Sequence, residues 1–553
     1  MTPPTTTTQA PHRALGWLLA VPALFGTLIS LVLPTVQTIW LSLQSGGVLR
    51  ESSFAGMDNY HELGRRGEVW RALWFTLSLT VVPLLVAVVV APLLALALDR
   101  AGTWPRRAGR IALSLAVVTF SPVGVAAAWM RGLMPDASGL AGLAQGLREP
   151  ASAPGALRLI VAAATFGVVC ALAVMAFLPA LRAGSFSSGA LGGQRGGGVV
   201  PAMLVVGALL AITMLAVGLQ AFSIGLTLTR GGPERSTETL AGLEYDLAFR
   251  MAQFGPGAAV ATLTGVILGV LGIIATVIAA ASRLSITLTP RVAREDGGEA
   301  AAERRPGAAG LAVGVAALVV FVAVALVCAW PWIDGVLASP DTPAGTLRAQ
   351  VNTWVPAIAG AVISVGVAYL AALGIGGLRP LGRGSEWLLL AFAPWLFVGP
   401  GPLGVANWQN ARNMGLIDSF LALFPPLLVS VPALLVLTLL CKGLAERTDK
   451  DFFSGVFLPS LPMAGILAGA VALVNAQDLL WPLLVAQKPT LYTAPVAQVA
   501  QLGGFSGTGP DVGAGTPLLV VAVALIAVVA AQLLYLDRLA ITTNGSRPRT
   551  PAA

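Results

Sequence analysis

The side chains able to do chemistry in this 553-residue chain are few, and most of them interrupt long apolar stretches. Gln220 and Phe222 break one such stretch. Asn475, Gln477, Asp478 and Trp481 break another, and Trp129, Asn407 and Trp408 punctuate two more. Amides, a carboxylate and aromatic faces are the groups that hold a hydroxylated solute. The polar atoms hydrogen-bond its hydroxyls while a ring covers its apolar face. Inside an apolar medium each polar group needs a partner or a wetted cavity. The same residues can also cap helix ends or bond one helix to the next, and the residue types alone leave both readings open.

Covalent and metal chemistry are poorly represented. No G-x-x-x-x-G-K-[ST] phosphate loop, no H-E-x-x-H and no G-x-S-x-G elbow occurs in the chain. The two histidines, His12 and His61, and the three cysteines, Cys170, Cys328 and Cys441, have no metal-ligand spacing, and each cysteine lies in an apolar run. The chain reads as a non-enzyme with no cofactor of its own. Acids and bases are scarce within the apolar stretches, which points to a neutral solute.

The elements that must position these residues follow from composition. Hydrophobic residues make up 56% of the chain and charged residues only 10%, against about 25% charged in soluble domains. Apolar runs of about 20 residues, the length that crosses a bilayer, recur from end to end. A soluble enzyme, a nucleic-acid binder and a disordered scaffold are excluded. The expected fold is an all-α, polytopic helical membrane protein with about twelve transmembrane helices. They fall near 15–41, 72–98, 109–133, 157–181, 200–228 and 257–282, then 309–333, 354–378, 386–408, 419–441, 461–485 and 516–537. The first is read as a retained anchor, being too long for a removable signal peptide.

The segment 283–308 is charged and carries Gly and Pro, so it reads as a solvated linker between a first half, 1–282, and a second half, 309–553. With both termini in the cytoplasm, 20 of the 33 Lys and Arg residues fall on that side, including Arg100, Arg106, Arg107, Arg110, Arg182, Lys442 and Arg538. That orientation obeys the positive-inside rule. Six spans per half return each half to the same side, so the halves can be parallel repeats. Arg71-Ala72 ahead of Thr76 is echoed by Arg348-Ala349 ahead of Thr353.

A family resemblance rests on particular residues. Leu226-Thr227-Leu228-Thr229-Arg230-Gly231-Gly232-Pro233, then Ser236 to Thr239, Tyr245, Phe249 and Phe254-Gly255, resemble a signature of carbohydrate-uptake ABC transporter permeases. These are the membrane subunits of maltose- and glycerol-phosphate-type importers. Phe54-Ala55-Gly56-Met57-Asp58-Asn59-Tyr60 is similar to the family's F-x-G-x-x-N-Y, and Ser121-Pro122 with Ala128-Trp129 is similar to its next conserved segment. The second half resembles the partner permease through Asn352-Thr353, Gly415 to Ser419, and Asn475 to Asp478 with Trp481 to Leu484.

The resemblance implies two permeases fused in one chain of the bacterial plasma membrane, translocating a sugar or sugar-like solute by alternating access. It implies two separate ATP-binding subunits on the cytoplasmic side, which use the ATP, and an extracytoplasmic solute-binding lipoprotein outside. Gly231, Gly232 and Pro233, with Asn59 and Tyr60, would then dock that binding protein. On residue types alone the first three are a turn and the last two part of an interfacial aromatic belt.

The family's E-A-A-x-x-x-G-x(9)-I-x-L-P coupling loop is degraded here. The first half has RAGSFSSGALGGQRGGGVVP from Arg182 to Pro201, with Gly189-Ala190 as its remnant; the second keeps Ala445-Glu446 and Leu458-Pro459. The rival reading is a gradient-driven secondary transporter of the major facilitator type, whose loop motif Asp99 to Arg107 mimics at the wrong spacing. A noncatalytic membrane scaffold is a third.

Overall fold

A computed structural model of the chain describes residues 9–47, 50–133, 139–182, 199–288, 307–337, 347–447, 451–503 and 511–543. Gly189 and Ala190 lie outside the described residues, as does most of the 283–308 linker.

Among the described residues, nine helices are long and apolar enough to cross a membrane: Ala14–Ser42, Glu68–Arg100, Ala153–Leu181, Val199–Leu228, Phe254–Ala281, Ala308–Leu337, Leu347–Leu378, Phe453–Ala476 and Leu518–Arg538. A tenth is formed if Thr103–Val118 and Pro122–Leu133, bent by 75° at their junction, count as one span. The chain is thus an all-α, multi-pass membrane protein. Many large apolar side chains on the outer helix faces are exposed, such as Leu518, Leu519 and Ile526, as lipid-facing residues are.

Proline and glycine account for the stretches that do not form long helices. Around 386–408 the chain makes two short 3-10 turns, Gly382–Ala391 and Ala393–Trp395, then the helix Gly404–Asn413. Pro394 sits inside the second turn and the Gly399-Pro400-Gly401-Pro402 run separates it from that helix; proline removes a helical donor while fixing its own φ. Around 419–441 the consecutive Pro425 and Pro426 delay the helix, which runs only over Val431–Ala445.

Several packing relations tie parts of the chain that are distant in sequence. The first span packs on Leu347–Ala372 and the turn that follows it. Ala308–Leu337 packs on the Ala91–Arg100 helix, where Gly314 lies against Ala101 and the Ala97 carbonyl. A small two-stranded antiparallel sheet pairs Ser285–Leu288 with Leu539–Thr542, and the final helix Leu518–Leu534 packs against Thr103–Val118. Beside it Asp537 holds Arg182 at 2.5 Å and Arg110 at 3.2 Å. Arg110 is buried, and Asp537 compensates part of the cost of placing its charge there.

One hydrogen-bond motif occurs twice. The Thr76 hydroxyl donates to the Ala72 carbonyl at 2.7 Å and accepts the Leu240 N–H at 2.9 Å. The Thr353 hydroxyl donates to the Ala349 carbonyl at 2.7 Å and accepts the Ala494 N–H at 2.8 Å. Each threonine thereby satisfies a first-turn N–H of a short helix, Leu240–Tyr245 in one case and Ala494–Gly503 in the other. These are the threonines that follow the Arg-Ala echo in the sequence.

Candidate functional site

Two of the apolar helices break in the same way. Val199–Leu219 stops, three residues follow, and the chain resumes as Ser223–Leu228. Leu458–Ala476 stops, three residues follow, and the chain resumes as Leu480–Val485. A glutamine opens each break, Gln220 in one and Gln477 in the other, and the third residues, Phe222 and Leu479, meet in one buried apolar cluster with Val123 and Val496. A broken helix frees backbone groups that must be paired nearby, so such breaks occur where protein or a cavity can receive them.

Gln220 uses its amide fully. It donates to the Ala216 carbonyl at 3.0 Å and the Phe397 carbonyl at 2.8 Å, and its oxygen accepts the Gly399 N–H at 2.9 Å. It staples the first break to the Pro/Gly-rich turn ahead of the Gly404–Asn413 helix. Gln477 donates to the Gly515 carbonyl at 2.9 Å, and its buried oxygen has no partner among the described residues. Gln350 and Gln498 hold the same 511–515 segment, donating to the carbonyls of Ala514 at 2.8 Å and Asp511 at 2.7 Å.

The remaining residues picked from the sequence bond mainly to backbone. Asn475 donates to the Ala357 carbonyl at 3.3 Å, tying its helix to Leu347–Ala372. Asp478 accepts the Leu480 N–H at 3.1 Å, at the start of the short helix. Trp481 donates to the carbonyls of Ala422 at 2.8 Å and Phe424 at 3.2 Å, and Trp408 donates to the Leu484 carbonyl at 3.2 Å. These are the capping and helix-joining bonds that the sequence allowed as one of two roles. Trp129 Nε1 and Asn407 Nδ2 are buried without a partner among the described residues.

Aromatic rings line the junction next to these groups. Phe222 meets Tyr245 edge-on at 5.4 Å between centroids, and Phe249 meets Trp408 edge-on at 5.9 Å. Phe254 lies 5.4 Å from Trp408, and the Arg412 guanidinium sits over that indole. The row therefore crosses from the Tyr245–Phe254 segment to the Gly404–Asn413 helix.

The two sequence segments assigned to docking have distinct structures. Gly231 has a φ of +83°, a left-handed value that favours glycine, and Thr237 ties the turn together by donating to the Thr229 hydroxyl and the Gly232 carbonyl. Asn59 is buried and donates to the carbonyls of Ser42 and Gln44, both at 2.8 Å, while the Tyr60 hydroxyl is 2.6 Å from that of Ser42. Gly255 packs so closely on the Gln44 carbonyl that any Cβ there would collide with it. Two pieces of the family-like signature, Asn59 and Phe254-Gly255, thus fit against each other.

At the coupling residues, Ala445 ends the Val431–Ala445 helix and Glu446 pairs with Arg379 at 3.1 Å. Lys442, buried one turn earlier, is ion-paired to Glu386. Leu458 and Pro459 open the next helix, and the turn Phe453–Phe457 runs directly into it.

Two acids carry no signal of their own in the sequence: Glu238, inside the Ser236 to Thr239 match, and Glu244. Glu238 is buried 3.8 Å from Arg235, which also pairs with Glu68 at 3.2 Å. Burial, reinforced by the nearby Asp246, pushes its carboxyl up to about 7. Glu244 is only 4% exposed and makes no hydrogen bond or ion pair to any described residue, and burial pushes its carboxyl well above the usual range. Each is a single acid in a mixed segment, TETLAGLEYDLAF, and only the fold shows its burial. No protein-family model matches the chain, and no curated protein matches it.

Proposed function

We propose that the chain is the membrane-spanning permease of a solute importer: two fused six-helix halves that translocate a sugar or sugar-like solute across the bacterial plasma membrane. The observation that carries this reading is the matched pair of broken helices at Gln220–Phe222 and Gln477–Leu479, which converge on one apolar cluster. Interrupted apolar segments at corresponding positions of two halves are the usual mark of a transport site. The repeated Thr76 and Thr353 bridges support a repeated local structure in the two halves.

On this reading the halves rock about the seam and expose it to each side in turn. The chain holds no phosphate-binding loop, so the energy comes from an ion gradient or a separate subunit; in the proposed arrangement two partner ATPases supply it and an external binding protein delivers the solute to the Gly231–Pro233 face. The motifs shared with carbohydrate-uptake permeases favour that arrangement. Affinity purification of the tagged chain from native membranes in mild detergent, with mass spectrometry of what accompanies it, tests the proposal. A P-loop ATPase and an extracytoplasmic binding protein are expected. The chain alone, where a control importer stays intact, sinks the ATP-driven reading.

One observation favours the gradient-driven alternative. The turn before Leu458 continues into the membrane helix, so the described part of that loop forms no separate helix for an ATPase to grip. Uptake that is abolished by a protonophore while ATP is maintained is the outcome that alternative requires.

A further inference from the structure

Two buried polar residues with an unused side-chain group among the described residues lie near Gly404, one from each proposed half. Glu244 comes from the Leu240–Tyr245 helix and Asn407 from the Gly404–Asn413 helix. Both are more than nine-tenths buried, at 4% and 7% exposure. Glu244 makes no side-chain hydrogen bond or ion pair to a described residue, and Asn407 Nδ2 is a buried donor with no partner among them. They share a location through Gly404: a Cβ on that glycine would stand 4.0 Å from Glu244 Oε1. Asn407 lies three residues on and Trp408 four, so both project from the face that Gly404 opens, one turn away. Tyr245, adjacent to Glu244, and Trp408, adjacent to Asn407, belong to one cluster with Phe249 between them.

Leaving a buried polar atom unpaired is costly, as for the Asn407 amide nitrogen here, and the Glu244 carboxyl lies close to the same helix beside the same rings. The geometry points to a solute subsite in which the Glu244 carboxyl and the Asn407 amide hydrogen-bond adjacent hydroxyls of a neutral polyhydroxylated solute, with Tyr245 and Trp408 against its apolar face. The carboxyl oxygens accept, the amide nitrogen donates, and a hydroxyl does both, so the groups can be paired at once. Among the described residues no positively charged side chain pairs with Glu244, so an anionic solute gains nothing here. The inference rests on the transport reading and names the solute class for that site. It also adds Glu244 to the residues the sequence singled out.

Calorimetric titration of the full chain in detergent with maltose, glucose, glycerol and glycerol 3-phosphate tests it. Glu244→Ala and Asn407→Ala are each expected to weaken sugar binding about tenfold or more, the scale of a lost hydrogen bond. Glu244→Gln is expected to bind better than Glu244→Ala. The distant, exposed Glu62→Ala serves as control. Gly404→Ala guards against misfolding, because its methyl would make only ordinary contacts, 3.8 Å to Leu484 and 4.0 Å to Glu244, while narrowing the subsite. It is expected to fold normally and bind less tightly.

Alanine variants that bind like the wild-type chain overturn the subsite. So does a wild-type chain that binds none of the neutral probes, or that prefers glycerol 3-phosphate. Sugar binding lost in Glu244→Ala, with no ATPase co-purifying, would keep the subsite and remove the importer. An ATPase recovered with variants that bind normally would do the reverse.

Discussion

Glu238 shows how a single side chain can carry a pH dependence for the whole fold. Its carboxyl is pushed up to about 7 by burial and by Asp246, with Arg235 opposing, while in the unfolded chain it titrates near 4.5. The folded protein therefore binds the proton more tightly. The stability this provides is present below about pH 4.5 and is lost as the pH rises through about 7, amounting to at most about 3 kcal/mol. Glu244 is displaced the same way and adds with the same sign. The thermal midpoint is thus expected to fall between pH 5 and pH 8, and Glu238→Gln should flatten part of that fall. An unchanged slope in the variant would show that Arg235 already stabilises the ionised carboxylate.

At the scale of elements, the two breaks look alike in outline and differ in how they are held. Among the described residues, Gln220 makes three bonds and reaches the Phe397–Gly399 turn, whereas Gln477 makes one and its oxygen has no partner. Gln220→Leu strands the Gly399 N–H and the Phe397 carbonyl, at about 1–3 kcal/mol for each unsatisfied group. Gln477→Leu removes one bond along with an oxygen that had no partner, so it should cost clearly less. Thermal unfolding of the two variants side by side checks the order, and equal losses would mean the staple is not what fixes the first break. Much of this was legible in advance. The long apolar runs gave the spans, and Gln220, Asn475, Gln477 and Asp478 stood out because polar residues are rare within them. The partners were not legible, because Phe397, Gly515 and Ala357 contribute backbone carbonyls that carry no sequence signal. Nor was the collapse of the 386–408 and 419–441 spans, where hydropathy outweighed the prolines at 394, 400, 402, 425 and 426. Glu244 escaped notice because its neighbours in sequence are ordinary, and its isolation arises from packing against Gly404.

At the scale of the molecule, the linker and the packing do separate jobs. The chain order alone would let each half fold on itself, yet the first helix lies on Leu347–Ala372 and the helix Ala308–Leu337 lies on Ala91–Arg100. Each proposed half thus lends its opening helix to the other. The last helix then returns to Thr103–Val118, and the strand Leu539–Thr542 pairs with Ser285–Leu288. Apolar faces exchanged in this way have no substitute partner within their own half except lipid, and helix association in lipid depends on close packing of small residues. Gly16 against Gly374 and Gly314 against Ala101 supply that packing on the two sides. Association should therefore survive without the covalent connection. If the chain is cut between Leu288 and Gly307 and the two pieces are co-expressed with a tag on only one, both should be recovered together through detergent extraction. Either piece expressed alone should be degraded or aggregate. Recovery of two independently stable pieces that do not associate would mean that the exchanged helices follow from the linker and are not the contacts that hold the halves together.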